Sequence, residues 1–157
     1  MEGQTRKVTV FNVADWFLSK QSMTPKKLQK LVYYAYAWYL TLVNEGDNDL
    51  NAKLFESRVE AWVHGPVFPE LYKKYKRYSG ETIPMYEGEL IEFNEDALDI
   101  LSQVLDVYGG YTGNQLESIT HQESPWVEAR GNCGTYDVCT NEITDLSIFR
   151  YYIKRVS

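Results

Sequence analysis

Residues 24–44 constrain the fold most, because they open with a complete helix-start signal and are then apolar or aromatic nearly all round. Thr24 is a capping residue, Pro25 stands at the first helical position where its missing N–H costs nothing, and Met23 can staple onto Leu28. A helix from 25 to about 44 follows. Leu28, Leu31, Val32, Ala35, Trp38, Tyr39 and Leu42 recur on it as one stripe, with Lys26, Gln29 and Lys30 lying away from that stripe. Beyond Lys30 the opposite face holds Tyr33, Tyr36, Ala37 and Leu40. Two readings fit: a central buried helix, or one that offers a face to a partner.

Composition sharpens that choice. Of 157 residues, 13 are Tyr, 6 Phe and 4 Trp, and tyrosine, with an apolar ring and a polar tip, suits a half-wet surface as well as a core. Trp16, Trp38, Tyr39 and Tyr108 fall on core stripes, whereas Tyr33, Tyr36, Tyr72, Tyr151 and Tyr152 lie off them and are expected to face a partner. The length suits one domain spanning residues 1–157. A net charge of −6 argues against non-specific coating of nucleic acid or adsorption to anionic membrane, since both need positive charge. No run approaches the roughly 18 apolar residues of a membrane span, and the N-terminal stretch lacks the apolar core of a leader peptide. The expected setting is the cytoplasm. Cys133 and Cys139, five residues apart in between, do not have zinc-knuckle or redox spacing, so free thiols are expected.

The remaining elements are punctuated clearly. Asn12 and Asp15 form a capping-box pattern, with Phe11 and Trp16 in staple positions, for a first helix over 13–20. Alternation over 55–64 puts Phe55, Ser57, Val59, Ala61 and Val63 on one face of a strand, which His64-Gly65-Pro66-Val67 ends in a turn. A helix over 69–78 sets Leu71, Tyr75 and Tyr78 against Lys73, Lys74, Lys76 and Arg77. Residues 80–92 make a loop or weak hairpin. Asn94 caps a fourth helix with Ala97, Leu98, Leu101, Val104, Leu105 and Tyr108 as its stripe, stopped by Gly109-Gly110, and Thr112 with Gln115 boxes a fifth that ends near Thr120. A short turn starts at Ser124-Pro125-Trp126, residues 131–140 are turn-rich, and 145–155 carry a last helix. The expected fold is mainly α (α+β): a helical bundle around a central aromatic-rich helix with a small sheet or hairpin.

Chemistry-bearing patterns are sparse. His64 and His121 are the two histidines, and Glu117 and Glu123 flank the second, so an oriented general base is one option and surface charge the other. With the cysteines they would make four zinc ligands, but no paired-ligand spacing supports this. Nucleophile elbows, P-loops and G-x-G-x-x-G loops do not occur. Lys73, Lys74, Lys76 and Arg77 interleave with Tyr75 and Tyr78, a pattern that can grip single-stranded nucleic acid or simply form a solvated helix face.

Three stretches carry a resemblance. TPKKLQKLVYYAYAW at 24–38, EAWVHGPVFPELY at 60–72 and LESITHQESPW at 116–126 resemble, in the same order, motifs of the SocA-like antitoxin family, the Panacea domain, related to phage-associated GepA-like proteins. The similarity runs from about 14 to 130. Glu117 departs from the small or polar residue usual there, and the 131–140 insert with both cysteines matches nothing in the family.

The resemblance implies neutralisation of a cognate protein toxin by direct binding, with some members acting as adaptors that hand the toxin to a protease or its unfoldase. It implies no catalysis, cofactor or metal. Homo-oligomers are compatible with it, whereas membrane and nucleic-acid partners are not expected. The residues it marks for a partner surface, together with the off-stripe tyrosines, are Tyr33, Tyr36, His64, Gly65, Pro66, Val67, Tyr72, Thr120, His121, Pro125 and Trp126. The alternatives are a small His-dependent hydrolase and a nucleic-acid binder using the basic face from Lys73 to Arg77.

Overall fold

The computed structural model describes residues 7–156; residues 1–6, which open the stretch weighed above against a leader, and residue 157 lie outside it. Among the described residues the order is α1 (Val10–Lys20), α2 (Pro25–Val43), β1 (Glu60–Trp62), β2 (Gly65–Val67), α3 (Pro69–Tyr75), α4 (Glu95–Tyr108), α5 (Gly113–Thr120), α6 (Ser124–Arg130) and α7 (Asp145–Tyr152). One-turn 3-10 helices extend α3 over Lys76–Tyr78 and α7 over Ile153–Arg155. The fold is mainly α, as expected, and none of these helices is long and apolar enough to cross a membrane.

The caps explain where the helices begin. Thr24 accepts from Lys27 N–H at 3.3 Å, Asn94 from Ala97 N–H at 2.8 Å, and Thr112 and Gln115 satisfy each other's backbone at 3.1 and 2.8 Å. The first helix starts three residues earlier than its pattern predicts. Thr9 is the cap and Asn12 its third-position partner, with Asn12 accepting from Thr9 N–H at 2.9 Å. Asn is a good cap, but here it completes a box opened upstream, so Val8 and Val13 take the staple positions instead of Phe11 and Trp16.

Helix α2 is the axis of the molecule. It packs against α1, α3, α4, α5, α7 and β2, and its residues from Leu28 to Ala37 are all buried. This corrects the expected outward placement of Tyr33 and Tyr36, which are 1% and 3% exposed. Each hydroxyl finds an internal partner, which is what allows an aromatic face to be buried. Tyr36 donates to Asp145 at the start of α7 at 2.6 Å, and Tyr33 lies 3.3 Å from the hydroxyl of Tyr152, itself buried. Tyr151 is half-buried beneath Arg155, so Tyr72 is the one of the five off-stripe tyrosines that is exposed. Leu42 and Leu98, placed on core stripes, are instead exposed, and Ile100 takes the core position in α4.

The strand is shorter than its alternation, although Phe55, Val59 and Ala61 are buried as that alternation requires. Val63 and His64 form a two-residue turn, and Gly65-Pro66-Val67, expected to end the strand, is the returning strand β2. Register explains how proline fits there. Trp62 and Gly65 close the turn, so the next pair, Ala61 opposite Pro66, is the kind that exchanges no N–H···O bonds. The missing N–H of Pro66 costs nothing. Ala61 N–H donates outward, to Asn141 O at 2.9 Å, and Val59 O accepts from Ile143 N–H at 2.9 Å, which brings the end of the loop before α7 alongside β1.

Candidate functional site

Three distant stretches of chain meet around one carboxylate. Lys26 and Lys30 stand one turn apart on α2, which puts them on one face; the hairpin turn supplies His64, and α5 supplies Glu117 with Thr120 one turn on and His121 as its C-cap. Lys26 Nζ donates to Glu117 Oε1 at 2.6 Å, His64 Nδ1 lies 3.0 Å from Glu117 Oε2, and His121 Nε2 is 3.9 Å from that same oxygen. A carboxylate only accepts, so the contact requires the proton of His64 to sit on Nδ1. His121 stacks on Trp126 with ring centroids 4.0 Å apart, and Trp126 Nε1 donates to Trp62 O at 2.8 Å.

Lys30 lies under the hairpin. It is 1% exposed, and its amine reaches Pro66 O at 3.4 Å. Burial drives its pKa down to about 7, with Glu117 pulling it up and Lys26 pushing it further down. Burial also opposes the charged form of Glu117, but Lys26 and His64 hold that carboxyl below its ordinary value. His121 is pushed down by burial against the pull of Glu117.

Gly65 makes this approach possible. Its φ is +112°, and a Cβ there would stand 2.7 Å from Lys30 Cε and 2.9 Å from Thr120 Oγ1. Gly65→Ala is therefore expected to cost about 2 kcal/mol through strain and displacement of Lys30. Urea unfolding checks this; a change within about 0.5 kcal/mol, usual for inert surface sites, would show that the close approach is not needed.

Beside the cluster runs a groove of about 630 Å³, lined by Lys26, Lys30 and His64 and by apolar walls that include Trp62, Leu71, Tyr72, Val138 and Tyr136. Trp62 and Tyr72 pack edge to face at 5.0 Å. One wall is the 131–140 loop, whose position depends on Arg130. This buried guanidinium donates to Ala61 O at 3.0 Å on β1 and to Gly134 O and Asp137 O at 2.6 and 2.9 Å in the loop. The fold so gathered brings the Cα atoms of Cys133 and Cys139 to 6.0 Å, and the two are joined in a disulfide, which corrects the expectation of free thiols.

Of the residues marked for a partner surface, His64 and Tyr72 are exposed. His121 and Trp126 are half-buried, while Gly65, Pro66, Val67, Thr120 and Pro125 are buried, and of these Gly65, Pro66 and Thr120 stand close around Lys30. Glu117 hydrogen-bonds His64 and stands 3.9 Å from His121 Nε2, a buried nitrogen without a hydrogen-bond partner, but Glu123 points elsewhere, accepting from Tyr34 and Tyr152 at 3.0 and 2.6 Å. The bridged cysteines cannot complete a zinc set with the histidines, and among the described residues no group of three His, Cys, Asp or Glu is placed to hold a metal. On the basic face, Lys74 lies over Phe11 at 5.3 Å and Arg77 over Tyr78 at 5.0 Å, so two of its four cations cover the chain's own rings.

Lys30, Gln29 and Arg130 carry roles that helical periodicity hides. Gln29 Nε2 donates to Phe68 O at 3.1 Å and its Oε1 accepts from Phe68 N–H at 2.9 Å, tying α2 to the start of α3. The spacing of Lys26 and Lys30 is the one local signal that could have flagged the pair.

No curated protein and no solved structure matches this chain. A profile described as "Antitoxin SocA-like, Panacea domain" matches residues 28–127, from the first turn of α2 into α6, and spans the hairpin, Lys30, Glu117, His121 and Trp126. With about two thirds of its length covered, the chain belongs to the SocA-like, Panacea-domain antitoxin family.

Proposed function

We propose that this protein is a cytoplasmic antitoxin, carried by a prophage or mobile-element toxin–antitoxin pair, which neutralises its toxin by forming a stoichiometric protein–protein complex. The observation that carries the reading is the groove. It is concave, its walls are aromatic and aliphatic, and most of its lining, from Leu28 to Ser79, lies within the family match, while the 131–140 loop beyond that match adds one wall. Tyr and Trp dominate interface energetics when they fill or line such a cleft. An adaptor role, delivering the bound toxin to a protease, is compatible with the same surface.

Co-expression with the protein encoded by the adjacent open reading frame tests the proposal. Growth should be restored and the two proteins should co-purify in fixed ratio. Failure of both would remove the antitoxin reading. Shortened toxin half-life in the presence of the protein, abolished in a protease-deficient host, would establish the adaptor variant.

A second reading has one observation in its favour. Glu117 orients His64 as a carboxylate orients a general base, and His64 is exposed beside the groove. If neutralisation were catalytic, substoichiometric protein would inactivate the toxin and His64→Gln would abolish the effect without loss of binding. A strict equivalence point in a titration supports the binding reading instead.

A further inference from the structure

The following inference rests on the antitoxin reading and names the site and chemistry of its contact. We propose that the toxin enters the groove with a segment that pairs apolar side chains with a carboxylate, and that Lys30, Lys26 and His64 receive the carboxylate while Tyr72, Tyr136 and Val138 clasp the apolar part.

A cavity of about 630 Å³ is in the range of a real ligand cleft and holds several side chains. Tyr72, Tyr136 and Val138 are 42%, 87% and 89% exposed, an unusual outlay of large apolar surface along one cleft. The loop that presents the last two is held by Arg130, which donates to the carbonyls of Gly134 and Asp137, so the wall is preorganised rather than slack.

Unspent donors fix the chemistry. An ammonium has three N–H groups, yet Lys30 has one acceptor, the Pro66 carbonyl at 3.4 Å, although its side chain is almost completely buried. The second ring nitrogen of His64 has no hydrogen-bond partner among the described residues, and that side chain is 66% exposed. Lys26 is shared with Glu117 and Asn114. Glu117 is thus a single carboxylate among four basic side chains, Lys26, Lys30, His64 and His121, and a second carboxylate entering the groove would complete the hydrogen bonding of Lys30 and His64 and return Lys30 to its charged form.

Long-range charge points the same way. The chain as a whole carries −6, but the groove's outer helix, α3, runs into Lys73, Lys74, Lys76 and Arg77. An acidic segment is thus repelled by most of the surface and drawn to this face, which raises its association rate and sets its orientation.

The test uses the full chain co-expressed with the protein encoded beside it. A photo-crosslinking phenylalanine derivative replaces Tyr72, Tyr136 or, as a control on α4, Leu98. Crosslinks from 72 and 136, but not 98, are expected, and the captured toxin peptide should contain an Asp or Glu beside apolar residues. Changing that acid to its amide should weaken binding at least tenfold in the wild type and have no further effect with Lys30→Met, the signature of a direct pair. If Lys30→Met does not fold, His64→Gln, at an exposed side chain, replaces it in the cycle. Crosslinks from 98 alone, with growth still rescued, would overturn the groove and leave the antitoxin reading intact. A captured peptide without an acid, or a cycle showing no coupling, would overturn the carboxylate. Absence of rescue and of every crosslink would remove the antitoxin reading and this inference with it.

Discussion

Tyr34→Ala is expected to destabilise the protein by about 4 kcal/mol, the scale for emptying a large aromatic site in a core that cannot collapse around it. Tyr34 has no exposed surface. Its ring stacks on Tyr108 with centroids 3.9 Å apart and planes 5° from parallel, and Tyr33 meets it edge-on at 5.4 Å. Its hydroxyl donates to Glu123 at 3.0 Å. Alanine would leave a cavity between α2 and α4 and remove a donor from a largely buried carboxylate.

Tyr34→Phe separates the two contributions. Losing the hydroxyl alone should cost about 1.5 kcal/mol, because Tyr152 still donates to Glu123 at 2.6 Å. Burial already raises the pKa of Glu123, against the opposing pull of Tyr152 and Tyr34. A carboxyl raised in the folded state contributes stability that is complete below its unfolded pKa and is lost as pH rises through the folded one. Removing the Tyr34 donor raises it further, so the deficit of Tyr34→Phe should be larger at pH 7 than at pH 3. Urea unfolding at both pH values measures this. An alanine variant within about 1 kcal/mol of wild type would show that the stacked pair does not anchor the core.

Lys30 should make the wild type more stable as the solution becomes more alkaline. Its pKa falls from 10.5 in the unfolded chain to about 7 in the fold, chiefly by burial. For a base depressed on folding, the contribution is complete above the unfolded value and is lost as pH falls towards the folded one. At about 1.4 kcal/mol per pH unit, stability should rise by about 3 kcal/mol between pH 7 and 9.5 from this residue. Lys30→Met, close in shape and without an ionisable group, should remove the slope and be no less stable than wild type at pH 7, since replacing a buried charge with an apolar side chain is often neutral or favourable. Unfolding free energies of the two proteins across that range decide the matter. Parallel curves would mean that the amine is hydrated in the native state.

The cap at Thr24, the proline after it and the length of α2 were plain in the sequence, because a cap acts within one turn of the backbone it satisfies. The same holds for the boxes at Thr112 and the cap at Asn94. Thr9 was missed because two residues three apart can each start a box, and only the packing of the preceding chain chooses between them. Helical periodicity also misjudged Tyr33, Tyr36, Gln29 and Lys30. A stripe locates the face buried first, not how many neighbours surround the helix.

The sequence by itself determined a mainly helical chain, most of its helix starts, a central aromatic helix and, through three ordered motifs, the family. These are local signals, or sums of them, and they need no knowledge of what lies across the core. The tertiary structure alone decided that Lys26 meets Glu117 across 91 positions and Gln29 meets Phe68 across 39. It alone decided that Arg130 gathers a loop tightly enough to bridge Cys133 to Cys139. The reason is that a buried polar group must find a partner wherever the packing places one. For Lys30, the carbonyl within its reach belongs to Pro66, and the site at the head of the groove is built around that placement.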